Sequence, residues 1–243
     1  MLFRSSTFRL TVTNVNDAPV LVPAALVLAG ITEDNASNAG QTVASMLGST
    51  LSDVDAGAVQ GIALYGVTGG YGKWQYSTSG GTAWTDVGTV SASAALLLRS
   101  TDWLRWLPDG TNGTAATLGY YGWDQTAGTV GTKVSVATRG GTTAFSSSAD
   151  TASLTVTSVN DAPVGTVSIS GTAAQGQVLV ASNNLTDADG IPTTGANAIA
   201  YQWYAGGAPI GGATAGSYML TQAEVGKAIT VNASYIDNYG NTE

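Results

Sequence analysis

Leu154-Thr-Val-Thr-Ser-Val-Asn-Asp-Ala-Pro-Val164 decides how this chain is read. Apolar and polar residues alternate through Leu154–Val159, the period of a half-buried β-strand. Asn160-Asp161 follows, then Pro163, which has no N–H to give a ladder and so ends the strand. The stretch occurs twice. Leu10-Thr-Val-Thr-Asn-Val-Asn-Asp-Ala-Pro-Val20 differs from it only in carrying Asn14 where the second copy has Ser158, and the copies lie 144 residues apart. A strand, a polar pair and a proline recurring at long range mark module ends in an array.

Composition sets the class. Hydrophobic residues make up 44% of the 243 and charged ones only 10%, so cores are available and the polar surface falls to Thr, Ser, Asn, Gln and Gly. Thirty-two glycines suit short strands and tight turns. Net charge is −8, and 13 of the 16 acidic residues are Asp, the acid of turns and compact oxygen-ligand loops. An acidic surface argues against nucleic acid, which needs a basic face. There is no Cys and no His, so a thiol nucleophile, a histidine base and a zinc site of the usual kind are excluded together. No run of 18 apolar residues exists, so membrane insertion is not expected, and Met1-Leu-Phe-Arg-Ser5 does not read as a signal peptide.

These features predict an all-β chain of tandem antiparallel β-sandwich modules. Residues 1–17 read as the terminal strand of an upstream module, 18–163 as one complete module, and 164–243 as a second that lacks its last strand. In the first, strands are expected at Ala24–Leu28, Val43–Leu47, Gly61–Val67, Lys73–Ser77, Thr82–Val87, Ala94–Leu98, Leu104–Leu107, Ala115–Trp123, Lys133–Ala137 and Ala152–Val159. Lys73–Trp84 reads as a hairpin turning at Ser79-Gly80-Gly81, with Trp74 and Trp84 on its arms. In the second, Ala200–Tyr204 and Ala228–Tyr235 read as strands, with Ile229, Val231, Ala233 and Tyr235 on one face. Thr221-Gln-Ala-Glu224 is a capping box and the sole helical signal. This order is immunoglobulin-like, with Trp203 as the core tryptophan of the third strand.

The acids then fall into a repeated pattern. Asp53-Val-Asp55 and Asp187-Ala-Asp189 each follow an early strand, and Asp124 and Asp237 each end a penultimate one. In a seven-strand sandwich these loops share one end, where the linkers carrying Asp17 or Asn160-Asp161 also enter. Carboxylates crowded there repel unless a cation neutralises them. Oxygen-only ligands describe Ca2+. Without an ion, the same Asp-x-Asp pairs serve as turn residues.

On these motifs the chain resembles the cadherin-like modules of large bacterial surface adhesins and type I-secreted repeat proteins. Asn160-Asp161-Ala162-Pro163 is similar to a shortened cadherin linker, Asp53-Val-Asp55 and Asp187-Ala-Asp189 to the Asp-Ala-Asp loop, and Gly122-Trp-Asp124 and Tyr235-Ile-Asp237 to the Ala-x-Asp loop. Ile31-Thr-Glu33-Asp34 and Thr101-Asp102 resemble the acidic positions at a module's far end. The resemblance implies Ca2+ held by Asp17, Asp53, Asp55 and Asp124 in one module, by Asn160, Asp161, Asp187, Asp189 and Asp237 at the next, with Glu33 and Asp102 joining from below. Ser158 in place of the first linker Asp, and Gln175-Gly176 where an acid is expected, imply fewer ions than a cadherin junction holds.

The function this implies is not enzymatic. It is a calcium-stiffened spacer of a bacterial adhesin, extracellular and at the cell surface. Its partners are neighbouring modules of the same chain, with surface glycans or proteins reached through other domains. Two alternatives are a glycan-binding module that uses exposed aromatics and a non-catalytic accessory domain of a secreted enzyme. Ser77-Thr-Ser-Gly-Gly-Thr-Ala-Trp84 partly resembles a sialidase Asp-box hairpin, but Ser79 replaces its Asp, there is one copy, and five scattered arginines do not make a sialidase cluster.

Overall fold

A computed structural model describes residues 7–243. The expected upstream strand at 1–17, with Phe3, therefore lies partly outside the described residues. The chain is nearly all β, and it divides into two compact units, one up to Thr157 and one over Ser158–Glu243.

In the first unit the strands are β1 (Val20–Leu21), β2 (Leu26–Val27), β3 (Ile31–Thr32), β4 (Gln41–Thr42), β5 (Leu51–Ser52), β6 (Gly61–Thr68), β7 (Gly72–Ser77), β8 (Thr85–Asp86), β9 (Ala95–Arg99), β10 (Trp103–Pro108), β11 (Thr114–Trp123), β12 (Lys133–Val134) and β13 (Phe145–Thr157). A large sheet runs β12-β9-β6-β11-β13-β2, with β3 also on β13, and a smaller one runs β4-β10-β7-β8. Ile62, Leu64, Leu96, Leu98, Leu118 and Leu154 of the first and Trp74, Leu104 and Trp106 of the second meet in one core. The large sheet is also covered on its other face. There Ala63, Ala95 and Leu97 pack with Trp123, Val136 and Ala144. Burial on both faces explains why β6 and β9 read as unbroken apolar runs rather than alternating ones.

Several expectations change, and the strands expected at Thr82–Val87 and Lys133–Ala137 shorten to β8 and β12. Val43–Leu47 is a short helix, α1, capped by Thr42, whose side chain accepts from the Ser45 N–H at 3.0 Å. Its buried residues Val43, Met46 and Leu47 keep the i, i+3, i+4 spacing of a helical face. The 18–163 module is not wholly antiparallel, since β2 and β3 both run parallel to β13. Ala24–Leu28 shrinks to β2, while the expected Ala152–Val159 strand begins earlier and ends at Thr157. Leu10–Val15 forms no strand, although its copy at Leu154–Thr157 completes β13.

The Lys73–Trp84 hairpin forms, with Tyr76 opposite Thr85, and Ser77 Oγ accepting from the backbone of Ser79 and Gly81 at its turn. Its tryptophans do not meet. Trp74 packs edge-on against Trp106, 5.5 Å between rings, and Trp84 lies beneath the Arg105 guanidinium.

The second unit has β14 (Val167–Ser170), β15 (Val178–Asn183), β16 (Ala200–Ala205), β17 (Ala208–Pro209), β18 (Ser217–Met219) and β19 (Ile229–Ser234). They form two three-stranded sheets, β14-β15-β18 and β17-β16-β19. Trp203 is fully buried among Leu179, Ala181, Ala213 and Leu220, and its indole N–H donates to the Ala215 carbonyl at 2.8 Å. Thr221–Glu224 closes its capping box over one 3-10 turn.

Candidate metal centres

Each unit builds its acidic loop in the same way. In the first, Asp55 N–H donates to Asp53 Oδ1 at 2.9 Å, and Asp17 N–H donates to Asp55 Oδ2 at 2.8 Å. In the second, Asp189 N–H donates to Asp187 Oδ1 at 2.8 Å, and Asp161 N–H donates to Asp189 Oδ2 at 2.7 Å. The Asp-x-Asp loop is thus folded by its own first carboxylate, a side-chain turn that suits Asp. Its second carboxylate then receives the linker backbone.

The third acid of each set is also fixed by backbone. Asp124 Oδ1 accepts from Thr126 N–H at 2.8 Å and from its hydroxyl, while Oδ2 takes Asn16 Nδ2 at 2.9 Å. Asp237 Oδ1 accepts from Tyr239 and Asn241 N–H, each at 2.8 Å, and Oδ2 takes Asn241 Nδ2. Burial alone would raise the Asp237 pKa, but these donors outweigh it and hold the group below the ordinary carboxylate value. Hydrogen bonds from Asn14 and the Asp17 backbone lower that of Asp55 in the same sense. Both acids are therefore held as anions.

In the first unit Asn14, Asn16, Asp53, Asp55, Asp124 and Thr126 line one cavity of about 330 Å³. Asp17 joins through its backbone bond to Asp55, and Asp53 Oδ2 is buried without a hydrogen-bond partner. In the second unit Asp189 is 2% exposed and its Oδ1 has none either. A buried carboxylate oxygen with no donor costs free energy unless something positive supplies the missing interaction. Taken one unit at a time, no three acidic side chains among the described residues offer oxygens all within 4.8 Å of one another. Within a unit, any ion would be completed by carbonyl or water oxygen, which Ca2+ accepts.

Three expected ligands remain. Asn160 gives its Nδ2 to Glu243 Oε1 at 2.9 Å. Glu33 is buried, with its N–H on the Thr157 carbonyl. Asp102 is also buried, but its charge is met within the chain. Arg99 donates to it from Nη2 at 2.9 Å and from its backbone N–H at 2.7 Å. An ion is not needed to neutralise Asp102.

Two supporting residues escaped the sequence reading. Tyr235 donates its hydroxyl to Asp187 Oδ2, and burial followed by that carboxylate pushes the phenol pKa up. Thr126 anchors Asp124 as described. A Thr two residues after an Asp is a readable turn signal, whereas the approach of Tyr235 to Asp187 depends on the tertiary fold. Trp74, Trp106, Trp123 and Trp203 are buried and present no face to a sugar. Among the described residues no helix is long and apolar enough to cross a membrane. No family model, curated protein or solved structure matches the chain.

Proposed function

We propose that the chain is a calcium-stiffened segment of tandem β-sandwich modules from an extracellular bacterial repeat protein, serving as a spacer in cell adhesion. The observation that carries this reading is the recurrence of one acidic constellation in two units of different size and strand order. In both, an Asp-x-Asp loop folds on its own first carboxylate and receives a linker Asp N–H on its second. In both, a buried carboxylate oxygen of that loop lacks a donor. Ordinary turn chemistry explains the folded loop but not the orphaned oxygens.

Extracellular modules hold Ca2+ at about 10⁻⁴–10⁻³ M. At about 1 mM free ion, a site at the tight end adds roughly 1.4 kcal/mol to stability. That is modest for a fold but large for a linker, where few other contacts fix an angle. Calorimetric titration of the chain is expected to show Ca2+ binding in this range with a melting temperature raised by a few degrees. Fluorescent labels on the two units should report a narrower distance distribution with the ion than after chelation. Asp187→Asn with Asp189→Asn should abolish binding by the second unit, and Asp53→Asn with Asp55→Asn that by the first. Silence up to several millimolar Ca2+ would leave these acids as turn residues and end the reading.

A further inference from the structure

The two acidic sites share their folding bonds but leave over different oxygens. In the first unit Asp53 Oδ1 accepts from Asp55 N–H, and Asp53 Oδ2 is buried with no hydrogen-bond partner among the described residues. Both oxygens of Asp55 are taken, Oδ1 by Asn14 Nδ2 and Oδ2 by Asp17 N–H, each at 2.8 Å. In the second unit the order is reversed. Both oxygens of Asp187 are taken, Oδ1 by Asp189 N–H and Oδ2 by the Tyr235 hydroxyl. Asp189 keeps the bare one. Its Oδ2 accepts from Asp161 N–H at 2.7 Å, while its buried Oδ1 has no partner among the described residues.

The difference traces to one position, two residues before the strand-ending Asp. It is Tyr235 in Tyr-Ile-Asp237 and Gly122 in Gly-Trp-Asp124. Tyr235 is 4% exposed, and its hydroxyl donates to Asp187. Gly122 has no side chain to offer Asp53, and a Cβ there would run into Leu51 Cδ1. A phenol–carboxylate bond is charge-assisted and among the stronger hydrogen bonds of a protein. The hydroxyl proton and a cation are drawn to the same anionic oxygen and repel each other, so they compete for it.

We propose that Tyr235 is an internal competitor for Ca2+. It commits Asp187 to holding the fold, leaves Asp189 Oδ1 as the buried ligand of the second unit, and lowers the affinity of that unit. The first unit has no such competitor, and Asp53 Oδ2 is its buried ligand. The inference rests on the calcium reading above. It adds which carboxylate of each pair meets the ion and what sets the affinity of one site.

Calorimetric Ca2+ titration of the full chain carrying Asp53→Asn and Asp55→Asn isolates the second unit. In that background Tyr235→Phe is expected to tighten binding about threefold or more, because Asp187 Oδ2 is released. The ion-free melting temperature of the second unit, followed by Trp203 emission, should fall, because the same oxygen loses its donor. These opposite signs distinguish a competitor from a residue that supports a ligand, whose removal costs affinity. Single substitutions should also reverse between the units. Asp189→Asn should weaken the second site about tenfold more than Asp187→Asn does. With Asp187→Asn and Asp189→Asn silencing the second unit, Asp53→Asn should weaken the first about tenfold more than Asp55→Asn does. Either member of a pair removes the same charge, so the contrast reads ligation. Weaker or unchanged binding by Tyr235→Phe, with Trp203 emission showing the second unit folded, would overturn the proposal and leave the calcium reading standing. So would single substitutions that cost the same within each pair. No Ca2+ binding by the unsubstituted chain would end both.

Discussion

Replacing Trp203 with alanine is expected to unfold the second unit while the first stays folded. Trp203 is fully buried at the centre of a small core whose other buried members, Leu179, Ala181, Ala213 and Leu220, are much smaller. A Trp→Ala change in a core costs about 3–5 kcal/mol, through lost transfer energy and the cavity left behind. A domain of this size has a total stability of roughly 4–13 kcal/mol at about 0.05–0.15 kcal/mol per residue. The loss therefore consumes most of the lower half of that range. The unpaired Ala215 carbonyl adds to it, since the indole N–H that served it is gone. Trp203 is the one tryptophan of the second unit, with the other five in the first. In the unmodified chain its red shift in urea reports the second unit against that background. In the variant, near-ultraviolet circular dichroism and amide exchange should show β15, β16 and β19 unprotected and β6, β9 and β11 protected. Retention of exchange protection in β16 would contradict the role given to this side chain.

Asp150→Ala is expected to destabilise the first unit by about 3 kcal/mol, with hydrogen bonds to a buried charged group worth about 1.5–3 kcal/mol and not additive. Asp150 lies in β13 and is 5% exposed. Its Oδ2 accepts from Ala24 N–H at 2.9 Å and from the Tyr120 hydroxyl at 3.2 Å. Its Oδ1 accepts from Ala25 N–H at 3.0 Å and from Thr151 N–H at 2.7 Å. The carboxylate thereby holds Ala25 in a left-handed conformation, φ +49°, which a non-glycine residue adopts only when it is fixed from outside. Asparagine at 150 has one acceptor oxygen for these donors and should cost about half as much. Tyr120→Phe, which removes one donor and leaves the rest, should cost about 1 kcal/mol. Burial would raise the Asp150 pKa, but the three backbone donors and Tyr120 overcome it and lower it. A depressed carboxylate stabilises the fold fully above its unfolded value of about 3.9, and the benefit fades as pH falls through the folded value. Acid melts of the unmodified chain should therefore lose stability below about pH 4 more steeply than those of Asp150→Asn. Parallel acid profiles would sink the argument.

The long strands were legible because their pattern admits one reading. The six-residue β7 and β10, with Trp74 opposite Trp106, stand within a residue or two of where the spacing puts them. The α1 segment was not, because Val-Ala-Ser-Met-Leu is too short for strand and helix periods to separate. Only the Thr42 cap distinguishes them. The two copies of Leu-Thr-Val-Thr show the same limit more sharply, since one sequence takes two environments according to whether a sheet edge lies beside it. Of the acidic sites, the Asp-x-Asp pairs could be found from spacing, and so could the Arg99 partner of Asp102, three residues away. Asp150 could not, because an acid in a polar run such as Ser146-Ser-Ser-Ala-Asp150 gives no sign that its neighbours will bury it. Its partners are 30 to 126 residues distant in the chain, apart from Thr151.

The parallel pairing of β2 and β3 with β13 has a mechanical consequence. β2 and β3 are entered from the N-terminal side of the first unit, and β13 leaves it at Thr157. Tension applied from both sides drags parallel strands past one another along their length. The bonds from Leu28 N–H to the Ser153 carbonyl and from Glu33 N–H to the Thr157 carbonyl then carry load together rather than opening in turn. The β11–β13 ladder, spanning Thr114 to Trp123, braces the same strand from its other side. Forced unfolding is governed by the unfolding rate rather than by equilibrium stability. Pulled between its ends, the first unit should rupture as one event at high force. Pulled across the hairpin of β7 and β8, it should unzip at much lower force. The strand order should thus make the unit strongest when it is pulled along the line joining its ends.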